Sequence, residues 1–392
     1  MKWFFVVINW FVASLLLVSY LSPYIHPSYF WPFSFLGLLF PLFFILNVIF
    51  LAIWLVKRKK FFWISLLAIL IGWPKISSYY NIGTQNLMEN DTDSILSETK
   101  LLSYNVRLFD LYNWKNDQNM VTRNKIFKYI KKENADLLML QEFFVDDSKR
   151  FNTLDSLVQF QPAKYFHVEY TSSLNEIYHW GIATFSKYPI VNKGKVDFVS
   201  QGNNICIYSD LLISSDTVRI YNMHLASIHF QYEEYELLQE IGKINPFSKS
   251  THSRDSSGPI RSKNRVKKLS DTDIEIVSVL KEMVKRIKTA FIIRANQADL
   301  IAKHIINCRF PVIVCGDFND TPMSYSYQKI SQGLVDAFHE SGTGFGNTFV
   351  GPLPYFRIDF ILHDPIFKSF GFHTNNAVTL SDHYPLTLDI VK

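Results

Sequence analysis

"PVIVCGDFNDTP", residues 311–322, starts as a buried strand and ends in a cluster of polar groups. Pro311 to Cys315 is apolar and rich in β-branched side chains, Gly316 breaks the run, and Asp317, Asn319 and Asp320 follow at once. A core strand that leads straight into two carboxylates and an amide is a rigid support for what it presents. The pattern recurs along the chain. "TKLLSYNV" at 99–106 carries Asn105 near its end, "ADLLMLQE" at 135–142 closes on Glu142, and "TVRIYNMHL" at 217–225 ends in Asn222 and His224. "GIATFSKYPI" at 181–190 reads as a strand closed by a Lys-Tyr-Pro turn. Asp359 lies inside "FRIDFIL" at 356–362, and Asp382 and His383 precede "YPLTLDI" at 384–390. Thr122–Glu133 and Ala290–Asn307 have helical spacing. Strands with interleaved helices predict stacked sheets covered by helices. If the strand ends lie side by side, their polar groups converge on one rim.

Such a rim has a definite chemistry. Glu142 and Asp382, with Asn105, offer oxygen ligands to a hard cation, and Mg²⁺ suits one or two carboxylates completed by waters and a substrate phosphate, with Mn²⁺ as the alternative. No Cys or His cluster has zinc spacing. His383 is the candidate general base, because imidazole titrates near neutrality. Asp359 is placed to orient it, and Asp317 to align or deprotonate an attacking water. Asn319, Asn222 and His224 are hydrogen-bond donors for phosphate oxygens as charge builds. The set suits in-line attack of water on phosphorus. Each residue also has a plain reading: Asn105 closing a turn, Asp317–Asp320 a simple turn cluster, His224 a structural histidine. His167, His179, His229 and His339 have no such company and are read as structural. The plain readings together require many coincidences on one rim.

The stretches "LLSYNVR", "LLMLQE", "GIATFSKYPI", "NMHLAS", "VIVCGDFNDTP", "RIDFIL" and "SDHYPL" resemble, in order and context, the endonuclease/exonuclease/phosphatase superfamily of DNase I-like enzymes. The resemblance covers about residues 98–392. It implies a four-layered α/β sandwich with the site at one end of two packed sheets. It implies Asn105 and Glu142 at the metal with Asp382 assisting, and Asn222 and His224 at the phosphate. Asp317 and Asn319 would handle water and phosphate, and Asp359 would pair with His383.

Composition divides the 392 residues unevenly. Hydrophobic residues make up 48% and mean hydropathy is +0.04, but the excess sits in residues 1–80, while residues 81–392 read as globular. A net charge of +5 permits an anionic partner without demanding one. Three cysteines, Cys206, Cys308 and Cys315, give no disulfide framework and read as buried thiols. Three apolar blocks, Trp3–Leu21, Phe33–Val56 and Phe61–Trp73, predict an N-terminal transmembrane region over 1–80, with three spans favoured over two spans and an interfacial segment. An anchor is favoured over a signal peptide for the first block, since it lacks a clear cleavage site and a second block follows at once. "KRKK", Lys57–Lys60, is the only basic cluster near the blocks, which places it and the amino terminus in the cytoplasm and the domain outside an inner or plasma membrane.

One segment exceeds what the core needs. Phe230–Thr289 contains the polar, basic stretch "SKSTHSRDSSGPIRSKNRVKK", whose composition predicts a mobile loop, either a solvated insertion or a basic flap. The expected function is a membrane-anchored phosphoester hydrolase, with a non-catalytic tethered binding domain of the same fold as the alternative. Expected partners are the bilayer and a phosphoester, whether nucleic acid, phospholipid headgroup or small phosphate ester; no protein partner is inferred.

Overall fold

The computed structural model describes residues 2–83, 98–112, 120–148, 150–151, 153–160, 164–198, 203–228, 262–350 and 356–392. They form fourteen described strands, beginning with β1 (Tyr80–Asn81), β2 (Thr99–Asn105), β3 (Leu137–Asp146), β4 (Tyr165–Leu174) and β5 (Tyr178–Ser186). β6 (Ile190–Lys195), β7 (Ile205–Ile213), β8 (Asp216–His224), β9 (Val312–Asp317) and β10 (Val335–Asp336) follow. The chain closes with β11 (Gly344–Phe345), β12 (Asp359–His363), β13 (Lys368–Thr374) and β14 (Leu386–Val391). One six-stranded sheet has the order β13-β14-β2-β3-β5-β4, the other β10-β12-β9-β8-β7-β6.

Strand alternation explains the layers. In β9, Ile313 and Cys315 point between the sheets and meet Leu101, Leu137, Met139 and Leu388 of the other sheet. Val312 and Val314 point outward, where helix residues Ala298, Ile301 and Ile305 cover them. On the far side, Ile126, Phe127 and Ile130 of helix Val121–Glu133 cover Leu102 and Leu138. Helix, sheet, sheet, helix is the expected four-layered sandwich. Its organising feature is a parallel pair at the centre of each sheet, β2 with β3 and β8 with β9, all other described pairs being antiparallel. The C-terminal ends of four central strands thus face one way.

Two compact units are distinguished, Met1–Ala226 with Ile292–Lys392, and Ser227–Phe291. Of the second, the described part is the start of helix Ser262–Ile306. The mobile loop expected over 248–268 is therefore corrected from residue 262 onward, which is helical, and its remainder lies outside the described residues.

The apolar N-terminus is a helical bundle. Helix Lys2–Ser19 belongs to an apolar stretch, Trp3–Tyr24, long enough to cross a membrane. The second expected span is broken: Pro32–Leu38 and Phe40–Val56 meet at a 58° bend, because Pro41 lacks an N–H and its ring crowds the preceding turn. The third, Phe62–Ile71, has 10 residues, about 15 Å and half a hydrocarbon core. Three full-length spans are thus not what the chain forms, although all three blocks run side by side. At one end Trp3 meets Phe61 (6.1 Å) and Lys57 lies over Phe5 (6.0 Å). At the other Tyr20 donates to Ala68 O (3.0 Å) and Phe40 meets Tyr79 (5.2 Å). Inside, Ser65 donates to Asn9 Oδ1 (2.7 Å) and Asn47 to Phe43 O (2.9 Å), while Trp10, Phe11, Ile45, Ile49 and Leu67 face outward. Polar groups inside and large apolar ones outside invert the pattern of a water-soluble bundle.

Candidate active site

The parallel pairs deliver their last residues to one place. Asn105 ends β2, Glu142 lies in β3 beside it, and His224 and Asp317 end β8 and β9 directly opposite each other. Asp359, first residue of antiparallel β12, pairs with Asp317, and His383 lies just ahead of β14.

Local backbone features aim the side chains. β3 shifts register between Leu140 and Phe143, and within that bulge Glu142 takes a φ of +49°; bulges of this kind re-aim one side chain beside a site. Gly316 has a φ of +136°, and a Cβ there would meet Met223 O at 2.1 Å, so only glycine brings β9 this close to β8 before Asp317. Asn319 is left-handed at φ +52°, its backbone N–H donating to Asp317 Oδ1 (2.8 Å) and its side chain to Leu225 O (3.1 Å).

Asp317 Oδ2 is the hub. It accepts from Asn105 Nδ2 (3.0 Å) and Asn319 Nδ2 (3.2 Å) and lies 3.6 Å from both His224 Nε2 and His383 Nε2. Asn105 Nδ2 also reaches Glu142 Oε1 (3.3 Å), which is 3.6 Å from His224 Nε2. His383 Nδ1 bonds Asp359 Oδ2 at 2.9 Å. Burial pushes the Asp317 carboxyl up, and nearby Asp359 adds to the rise against the opposing pull of His383 and His224. Burial alone would lower His383, but Asp359 and Asp317 outweigh it and hold the imidazole well above its ordinary range. The two carboxylates thus favour the charged imidazole of His383, while burial favours the neutral form of Asp317.

Seven expected residues come together: Asn105, Glu142, His224, Asp317, Asn319, Asp359 and His383. Two do not join them. Asn222 is fully buried, accepts from Gln141 Nε2 (2.7 Å) and donates to Ala183 O (2.9 Å). It faces the same way as His224 but one pleat deeper, so it packs between the sheets and its expected phosphate contact is withdrawn. Asp382 stands at the edge of the cluster, near enough to favour the charged His383, with its carboxylate paired to Arg107 Nε at 3.2 Å. Of the histidines read as structural, His167 bonds Ser209 and His179 bonds Ser173, away from the cluster; His229 lies outside the described residues. Sequence reasoning missed Gln141, Arg107 and Phe349, whose ring lies 5.5 Å from His383.

The donor set fits a hard divalent cation. Two carboxylates, Glu142 and Asp317, converge on one amide nitrogen, and buried His224 Nε2 between them has no hydrogen-bond partner. A second grouping, Asp317, Asp359 and His383, has ligand atoms within 4.8 Å of one another, but the Asp359–His383 bond already uses two of them. On the Glu142 side the Asn105 oxygen accepts from Arg107 N–H (3.1 Å), so that amide would have to turn to offer an ion its oxygen.

Residues 102–383 match the model of the endonuclease/exonuclease/phosphatase family, and residues 2–79 match a domain of unknown function. No curated protein matches. Among solved structures, the human Nocturnin catalytic domain with bound sulfate anion is similar at 15% identity, covering 76% of this chain and 96% of that one, with a TM-score of 0.50. An endonuclease/exonuclease/phosphatase from Beutenbergia cavernae is 15% identical over 75% and 71%, TM-score 0.48. A Bacteroides thetaiotaomicron mannosyl-6-phosphatase is 16% identical over 75% and 100%, TM-score 0.43. At these identities the likeness bears on fold alone.

Proposed function

The chain belongs to the endonuclease/exonuclease/phosphatase family, and from that membership we propose a membrane-anchored, divalent-metal-dependent phosphoester hydrolase. The observation that carries the reading is the meeting of four site groups, Asn105, Asn319, His224 and His383, within 3.0–3.6 Å of one carboxylate oxygen of Asp317. Glu142, Asn105 and Asp317 would hold Mg²⁺ or Mn²⁺, and such an ion supplies charge neutralisation at the phosphoryl oxygens. The residues do the rest. Asp317, anchored by Asn319, takes a proton from the attacking water. His383, held by Asp359, hydrogen-bonds a phosphoryl oxygen through Nε2, and His224 offers a second donor there; as water bonds to phosphorus the ester P–O bond opposite it breaks, and the leaving oxygen takes its proton from solvent.

The inverted bundle and its outward aromatic side chains support insertion in a bilayer. Lys57–Lys60 cap the bundle end where Trp3 and Phe61 meet, while the hydrolase domain packs on the opposite end through Met323. With the basic end cytoplasmic, the domain faces the extracytoplasmic side. A C-terminal reporter active only in the cytoplasm would overturn that orientation.

Purified full-length protein in detergent is expected to hydrolyse bis(4-nitrophenyl) phosphate with Mg²⁺, to stop with EDTA and to recover on metal return. Asp317→Ala and His383→Ala should each lower kcat by roughly 10²–10⁴. Turnover that survives either variant unchanged rules the assignment out, and a folded protein that binds phosphoesters without turning them over would point to the tethered binding domain.

A further inference from the structure

Both arms of the site are fastened to the outer end of the apolar bundle. Met323, a few positions beyond Asn319, is fully buried among Ala13, Leu16, Phe40, Phe43, Ala68 and Ile69. Its carbonyl is so close to Gly37 that a Cβ there would lie 2.6 Å away. The chain from Asp317 to Met323 spans at most about 21 Å. The second arm starts where the chain leaves the bundle. Tyr80 pairs with Phe345 in backbone register, their rings 4.8 Å apart. Phe345 continues to Phe349, which forms a bridge with His383 and lays its ring against it; that stretch spans at most about 14 Å.

The surface at this level is apolar. Tyr80, Ile82 and Phe345 are 42%, 77% and 59% exposed. Around the same bundle end stand exposed Tyr24, Tyr29, Phe30 and Trp73, the residue types that mark a membrane–water interface. Continuity with the lipid-facing helices identifies what covers this patch: the headgroup layer of the bilayer.

Resting on the hydrolase reading above, we propose that the substrate is a phosphoester carried on a membrane lipid, presented to Asp317 and His383 at the bilayer surface. A headgroup phosphate there needs no diffusion from solution, because substrate and enzyme share one surface.

The test uses full-length protein in vesicles of phosphatidylcholine, phosphatidylethanolamine, phosphatidylglycerol and phosphatidic acid. Headgroup or phosphate release is compared with turnover of the matching soluble glycerophosphoesters and of single-stranded DNA. At least one lipid is expected to exceed its soluble counterpart by about tenfold or more in kcat/KM. Ile82→Ser combined with Tyr29→Ser should lower the lipid rate several-fold and leave bis(4-nitrophenyl) phosphate hydrolysis unchanged. Equal or faster turnover of the soluble esters, preference for DNA, or an unaltered lipid rate in the double variant each overturns the proposal while bis(4-nitrophenyl) phosphate turnover keeps the hydrolase reading. Loss of that turnover in the wild type removes both.

Discussion

Gly316 has no room for a side chain, and its φ of +136° suits no other residue. Gly316→Ala should therefore destabilise the protein by about 2–5 kcal/mol, since strain and backbone overlap add. A thermal melt of the full chain in detergent would show it. Asp336 makes a second residue-level case. Burial would push its carboxyl up, but the Arg357 guanidinium at 2.5 Å outweighs burial and holds it below its ordinary value. Its stabilising contribution is present above the unfolded value of roughly 3.9 and is lost as pH falls through the lower folded value. Asp336→Asn should flatten the acid limb of a stability–pH curve, and it should cost about 3–5 kcal/mol at neutral pH by stranding buried Arg357. The site residues that were legible in the sequence, such as Asn105, Glu142 and Asp317, are polar groups that end apolar runs. Asn222 misled because it shares a face with His224, and period-two alternation cannot say how deep along that face a side chain lies. Gln141, which engages Asn222, looked like one more strand residue.

Helix Ser262–Ile306 shows what an element adds. Its fully buried Arg294 donates to Ala226 O (2.7 Å) and Asp320 Oδ2 (3.0 Å), and Gln297 accepts from Ala226 N–H (3.0 Å). One helix face thereby clamps the loop after His224 to the loop carrying Asp317 and Asn319. Arg294→Lys keeps the charge but loses the fork geometry; kcat should fall about tenfold or more with KM nearly unchanged. Arg294→Ala should also lower stability by about 3–5 kcal/mol, read by denaturant unfolding. The strands that end at the site could be read from their apolar runs. Of the longer strands, β4, β6, β7 and β13 are not evident in the sequence; β4, β6 and β13 are sheet-edge strands whose mixed, half-exposed residues give no clean period. Pro41 was visible inside the second apolar block, yet hydropathy averages over a proline, so the bend was not.

At the scale of the whole molecule, the bundle and the hydrolase domain share a core. Arg357 donates to Ser78 O (3.2 Å), Lys75 to Gln328 Oε1 (2.9 Å), and Asn81 to Phe338 O (2.8 Å). Removing residues 1–79 strips Lys75 and Ser78 and uncovers Met323, so the remainder should aggregate or melt well below the intact protein in the same detergent. Composition divides the chain into an apolar part and a globular part, but only three-dimensional contacts show that the two pack on one another. Met323 also gives biogenesis a direction. Ribosomes deliver the amino-terminal helices long before residue 323 emerges, so the socket is waiting when the plug arrives. On the proposed function, the loop that carries Asp317 and Asn319 gains its support only once those helices have folded.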